Sequence, residues 1–441
     1  MKFNKQSGQV LVGTAVAMVV LAGFAGLAID MGTIRYQRRL QQTAADAAAI
    51  AGSNELRYNG GAGITLAARQ ASQVNGFADT AGNIDNCATT GTVGTVCIQI
   101  VHSPADVTLS NGTLIPGGPH SGNTNYVEAL VGVVQPTYFM KIFGVNSQFV
   151  LARAVATQIG LNSDSAGCVY TLGPPGTGVG VTNSGTPTLY APKCGIEDNG
   201  DFTTHGKTVN ITAGNIGAVG DVANKGGGTV LCGNPLATCN VVKMPPISDP
   251  LSFLPEPTVG SPTAWTGNPV PGTTYSSITI NSGDKINFPA GLYIVDGSFT
   301  INGGALVCNQ VASTCTPTGT PNAGVTFYIT NGGTVKTNGT SDIFLAAPTT
   351  GTYKGILFYQ DPLDTSTALM DGTANSYFQG ALYFPGAELD FGGTITNTTA
   401  AYTVIVANDL KLNGTATVNL NSDYSSLPGG VSFIETAVLV E

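Results

Sequence analysis

The sequence predicts a mixed protein: an N-terminal transmembrane helix continuing into an amphipathic helix with a small α/β domain, then an all-β parallel solenoid. Three observations lead there. Residues 10–29 are apolar or small throughout, and residues 30–57 then alternate polar and alanine-rich positions at helical spacing. Beyond about residue 165, short β-branched runs are punctuated by Asn-Gly and similar turn pairs. Composition agrees. Of 441 residues 59 are glycine, 42% are hydrophobic and only 10% are charged. That is enough apolar material for a core and too little charge for a disordered chain. The glycines follow no triplet period, which excludes collagen.

After Lys2 and Lys5 no charge occurs until Asp30. Twenty apolar residues in a helix span about 30 Å, one bilayer core. A cleavable secretory signal has a shorter apolar region that ends in a small-residue cleavage site. The sequence therefore predicts one membrane span, residues 10–29, behind a short cytoplasmic N-terminus, residues 1–9. In the amphipathic helix Arg35, Arg39, Gln42 and Asp46 fall on one side, and Tyr36, Leu40, Ala44, Ala47, Ala48 and Ala51 line another. An alanine face admits close approach by a neighbour, either the chain's own domain or a second copy. Between 60 and 160, Ile64–Val74 reads as a short helix. Val93–Val101, Tyr126–Val134 and Phe149–Ile159 read as strands, with a helical turn at Pro136–Phe143.

All eight cysteines follow the span: Cys87, Cys97, Cys168, Cys194, Cys232, Cys239, Cys308 and Cys315. Of the many pairings this number allows, the sequential one closes the shortest loops. There is no C-x-x-C, and His102, His120 and His205 are scattered, so no zinc site is expected. Disulfides belong to oxidising compartments. The bulk of the chain is thus expected in the periplasm or at the cell surface. Arg35, Arg38 and Arg39 lie just after the span, so the charge pattern by itself does not orient it.

In the second half one phrase recurs. It is seen at Phe202–Thr204 with Val209 and Ile211, at Phe299–Ile301 with Leu306, and at Val335–Thr337 with Ile343. Leu389–Phe391 with Ile395 and Leu410–Leu412 with Val418 repeat it. Asn-Gly or a like pair follows the first strand and supplies the positive φ of a tight turn. Such spacing suggests solenoid layers over 165–441, each unable to bury its apolar residues alone; a β-sandwich is the alternative. Residues 243–274 are proline-rich and read as a strap crossing the solenoid, pinned by Trp265, the only tryptophan.

Several strings carry a resemblance. GQVLVGTAVAMVVLAGFAGLAIDMG followed by RYQRRLQQTAADAAAIAGSNEL resembles the start of the TadE/TadG-like Flp pilus-assembly family. Gly8, the run Ala25–Asp30, and Gln42 with Ala45-Asp46-Ala47-Ala48-Ala49 carry it. HSGNTNYVEALVGVVQPTYFMKIFG, GLYIVDGSFTINGGALV and AYTVIVANDLKLNGTATVNL are similar to later parts of TadG-related proteins. The resemblance implies a pilin-like α/β domain behind the membrane helix, a C-terminal β-helix, and partners among the Tad machinery, pilus subunits or further copies of the chain. Prepilin processing after Gly8 would call for a glutamate where this chain has Gly13.

Chemistry is harder to find. Residues 161–441 hold eight Lys, no Arg and nineteen Asp/Glu, a surface that repels nucleic acid. The absence of arginine also removes the base of a pectate-lyase-like site. Acids cluster at Glu197-Asp198-Asn199-Gly200-Asp201, at Asp361 with Asp364, and at Glu388 with Asp390. The last pair would lie about 7 Å apart on one strand face, within a hydrolase's carboxylate spacing. Acids in turns are more often turn formers. The expectation is a structural or interaction protein with no catalytic residues, cofactor or metal; the alternative is a glycan-binding or glycan-degrading surface protein.

Overall fold

The computed structural model describes residues 7–57, 63–160, 167–175, 181–206, 208–233, 235–312, 315–316, 319–371, 375–393, 396–397, 400–428 and 432–441. Residues 1–6 of the expected cytoplasmic N-terminus, and Ile395 of the recurrent phrases, lie outside the described residues. The chain divides into two compact units, Met1–Ile159 with Thr436–Glu441, and Gly160–Glu435.

The first unit begins with one unbroken helix, Ser7–Asn54. Span and amphipathic segment are therefore a single rod of about 72 Å. It is followed by the helix Ile64–Val74 and a four-stranded sheet in the order Val96–His102, Tyr126–Pro136, Ser147–Gly160, Glu435–Leu439. The first three strands pair antiparallel, with Cys97 opposite Gly132 and Leu130 opposite Arg153. The fourth is the last described strand, which returns to this unit with Thr436–Glu441. Backbone bonds between Val155 and Val440 and Glu441 fix that closing strand. Ala44, Ala45, Ala48 and Ala49 of the long helix pack on Ala129, Val131, Ala152, Ala154 and Ala156 of the sheet. Small side chains on both sides let helix and sheet meet closely.

In the second unit the described strands form a 26-stranded sheet that is almost wholly parallel. That is not the antiparallel pairing of a sandwich. A strand typically pairs with the third strand on: Ile278 with Phe299, Phe299 with Val335. The recurrent phrases stack on one another. Lys336 lies beside Leu369, Leu369 beside Asp390, Asp390 beside Lys411, Lys411 beside Thr182 and Thr182 beside Thr203. Their turns stack too. At Gly414, φ is +64° and a Cβ would fall 2.6 Å from the Gly393 carbonyl oxygen, so both backbone angle and spacing demand glycine there. Inside, aromatic rings pack on one another from layer to layer, with Phe327 4.8 Å from Phe299 and 5.4 Å from Phe358.

The layers are not stacked in chain order. The strand Gly167–Thr171 follows Thr403–Leu412, with Ile405 opposite Val169 and Val406 opposite Tyr170. The earliest strands of the unit thus extend the stack begun by later ones. To start that stack at its other end the chain must cross every layer, on the order of 40 Å at the usual strand spacing. The residues between Lys243 and Thr274 make this crossing. Leu251 and Leu254 bury themselves over a column of Tyr328, Tyr359 and Tyr383. The Tyr383 hydroxyl donates to Asp249 at 2.6 Å and the Tyr353 hydroxyl to the Pro255 carbonyl at 3.0 Å. Trp265 packs at the edge of the main core, its ring centroid 5.3 Å from that of Tyr275 and 6.0 Å from that of Phe288.

If the strap is structural, Leu251→Ala should cost about 2–5 kcal/mol by emptying a buried site. Val259→Ala on its exposed stretch should cost less than about 0.5 kcal/mol. Thermal unfolding of both variants checks this; equal midpoints would refute a structural strap.

Candidate functional site

The membrane-capable half of the long helix is exposed almost throughout, and it is the one described helix long and apolar enough to cross a bilayer. The first residue after the apolar run on the domain side is Asp30, which is buried. Sequence reading marked Asp30 as a motif residue without a task. In the structure its carboxylate accepts the backbone amides of Tyr138 at 2.8 Å, Phe139 at 2.9 Å and Met140 at 2.7 Å. These are the free donors that open the turn of helix Met140–Phe143. Charge-assisted bonds of this kind are about twice as strong as neutral ones. Asp30 therefore ties the 138–143 loop to the helix. One turn back, a Cβ on Gly26 would lie 2.5 Å from the Phe139 ring, so glycine there lets the ring rest on the helix backbone.

Two further motif residues join helix to sheet. The Gln42 amide donates to Asp46 at 2.8 Å and to the Arg153 carbonyl at 2.8 Å. Arg153 in turn donates to Glu128, to Glu441 and to the Gly117 carbonyl. Burial raises the Glu128 carboxyl above its ordinary range, and Arg153 opposes that shift. Gly8 stands in the helix's first turn. Of the interface candidates, Ala44 and Ala48 are core beneath the sheet, Ala47 and Ala51 are half-buried, and Tyr36 and Leu40 remain exposed. Most of the alanine face is thus occupied by the chain's own domain.

All eight cysteines are paired sequentially: Cys87–Cys97, Cys168–Cys194, Cys232–Cys239 and Cys308–Cys315. Their Cα separations, 4.7 to 6.0 Å, suit the bond.

The acid clusters of the second unit are bound into the fold. Glu388 and Asp390 do share a strand face, and both meet Lys411, at 3.9 Å and 2.8 Å. Asn413 donates to Asp390 at 2.6 Å. Asp198 accepts from Thr171 and from the Gly200 amide, and Asp201 accepts the Asp221 amide of the next layer. Asp361 accepts from Tyr328 at 3.1 Å and Thr330 at 3.0 Å, and Asp364 accepts the Gly332 amide at 2.9 Å. Among the described residues no three His, Cys, Asp or Glu are grouped to hold a metal ion. Sequence reading missed Asp409. It lies opposite Glu388 in the next layer, buried, and one carboxylate oxygen has no hydrogen-bond partner. Burial raises its pKa to about 6; the Asn408 bond opposes this, and the Glu388 and Asp198 carboxylates add to it.

A helix long and apolar enough to cross a membrane, continuing into a disulfide-bonded α/β unit, is the class these features define. Residues 8–70 match the model of the family described as putative Flp pilus-assembly TadE/G-like, so this segment carries a TadE/G-like domain. The match covers the long helix and most of the second helix, ahead of all the strands. No curated protein and no solved structure matches the chain.

Two outcomes follow. Removing the three-amide cap with Asp30→Ala should speed tryptic cleavage after Lys141 by about 10-fold or more, because charged hydrogen bonds contribute about 1.5–3 kcal/mol. An unchanged rate in the detergent-solubilised protein, read by mass spectrometry, would refute the tether. For Asp409, the folded carboxyl binds its proton more tightly than the unfolded one, which titrates near ~4. Its contribution to stability therefore falls as pH rises from about 4 to about 6 and is level above. Asp409→Asn should raise stability at pH 7.5 by roughly 1–3 kcal/mol and lose that gain towards pH 4. A pH-independent effect would contradict the burial argument.

Proposed function

We propose that this chain is a membrane-anchored structural and interaction protein of Tad-type Flp pilus assembly or surface attachment, and not a catalyst. In this reading the N-terminus is cytoplasmic, the bulk lies in the periplasm or at the cell surface, and the second unit is a parallel β-helix. One observation carries it: the long helix of the TadE/G-like segment is apolar and bare in its first half, from Leu11, while its second half packs into the core of a folded domain. Four disulfides support an oxidising location. The three-strand repeat of parallel pairing supports stacked coils. The ties holding Glu388 and Asp390 to Lys411 and Asn413 favour surface structure over a hydrolytic pair. The Tad machinery, pilus subunits and further copies of the chain are the partners this reading supplies.

A shearing experiment tests it. Cells carrying or lacking the chain are stripped of pili mechanically, and a serum against the second unit locates the full-length protein. It should be recovered with the membrane or with the sheared pili, and deletion should reduce piliation or attachment. Normal piliation and attachment without the chain would sink the proposal, as would depolymerisation of a glycan by the purified protein.

A further inference from the structure

The loop that Asp30 holds is strongly apolar at its surface. Ile142 is 80% and Phe143 71% exposed, and Tyr138 and Phe139 are also exposed. Phe139, Ile142 and Phe143 form one wall of an apolar groove of about 650 Å³ whose other wall is the long helix from Val19 to Leu27. That helical stretch lies wholly inside the apolar run and covers about 12 Å of its axis. Whatever medium surrounds Val19–Leu27 therefore surrounds the loop as well.

The loop's backbone is suited to such a medium. Irregular backbone is tolerated at membrane depth only where its polar groups are satisfied by protein. The amides of Tyr138, Phe139 and Met140 all go to Asp30. Those of Ile142, Gly144 and Val145 go to the carbonyls of Phe139, Lys141 and Met140. Lys141, the turn's single charge, has a stem long enough to carry its ammonium toward the headgroups.

We propose that the 138–143 loop is a second membrane element, inserted among the acyl chains of the leaflet on the Asp30 side and lying against the helix. It rests on the reading that residues 10–29 span the bilayer. The geometry then sets how the domain stands: its sheet begins at the membrane surface, held by helix and loop together rather than swinging on a single rod.

Tryptophan quenching separates the two ideas. Full-length Phe143→Trp and Phe24→Trp are reconstituted in phosphatidylcholine–phosphatidylglycerol vesicles with brominated acyl chains. The Trp265 signal of the unsubstituted protein is subtracted. Both added tryptophans should lose at least about half of their emission. Quenching at Phe24→Trp alone would overturn the inserted loop while leaving the membrane span intact. Quenching at neither would overturn both. If Phe143→Trp is shielded when protein is crowded and quenched only on dilution with lipid, a second copy covers the groove, and the proposal is again overturned.

Discussion

Hydrogen bonding between parallel layers is the constraint on which most of this molecule depends. Strands such as Ile278–Ile280 and Phe299–Ile301 are three residues long. None could bury its apolar side chains alone, so each must lie on a neighbour in register. Register then dictates the rest. Asn-Gly turns must repeat at one level, since Gly303 and Gly339 approach within contact distance. Phe327 and Phe358 fall into an inner column, and Tyr328, Tyr359 and Tyr383 into an outer one. A stack of parallel strands also has two bare ends and a long side. The strap deals with the side by burying Leu251 and Leu254 on the tyrosines and accepting their hydroxyls.

The first unit solves a different problem, how to fix a folded domain to a helix that is half bare. It does so with side chains that stay short on the contact face and polar at the ends of it. Alanine meets alanine in the middle. Gln42 reaches the Arg153 carbonyl on the sheet, and Asp30 gathers three amides at the end nearest the apolar run. Each polar tie acts on backbone, which fixes where the sheet and the loop sit along the helix rather than merely attracting them.

Much of this was legible beforehand because it is local. Apolar run, alanine face, Asn-Gly turns and short cysteine loops each declare themselves within a few residues. The helix at Ile64–Val74 is found where its pattern places it, and the sequential cysteine pairs formed. What stayed hidden is long-range. Nothing near Val169 signals that its neighbour is Ile405, and nothing near Glu441 announces Arg153. Asp30 looked like a boundary residue because its partners are more than a hundred positions away. Asp409 escaped notice because its buried state comes from adjacent layers, and a strand written Asn-Asp-Leu-Lys-Leu alternates like any other.

The out-of-order layers bear on how the chain can fold. Strands 167–243 are made first, yet they present an edge that is completed only by Thr403–Leu412 and Thr417–Asn419. Likewise the sheet of the first unit lacks its fourth strand until Glu435–Leu439 arrives. The second unit is thus an insertion between two strands of the first, and both units wait on the last part of the chain. Open parallel edges are templates for wrong pairing, and long-range pairing is slow because loop closure precedes any gain. The disulfides Cys168–Cys194 and Cys232–Cys239 cross-link residues locally within these early strands, while the closure to Thr403–Leu412 stays long-range.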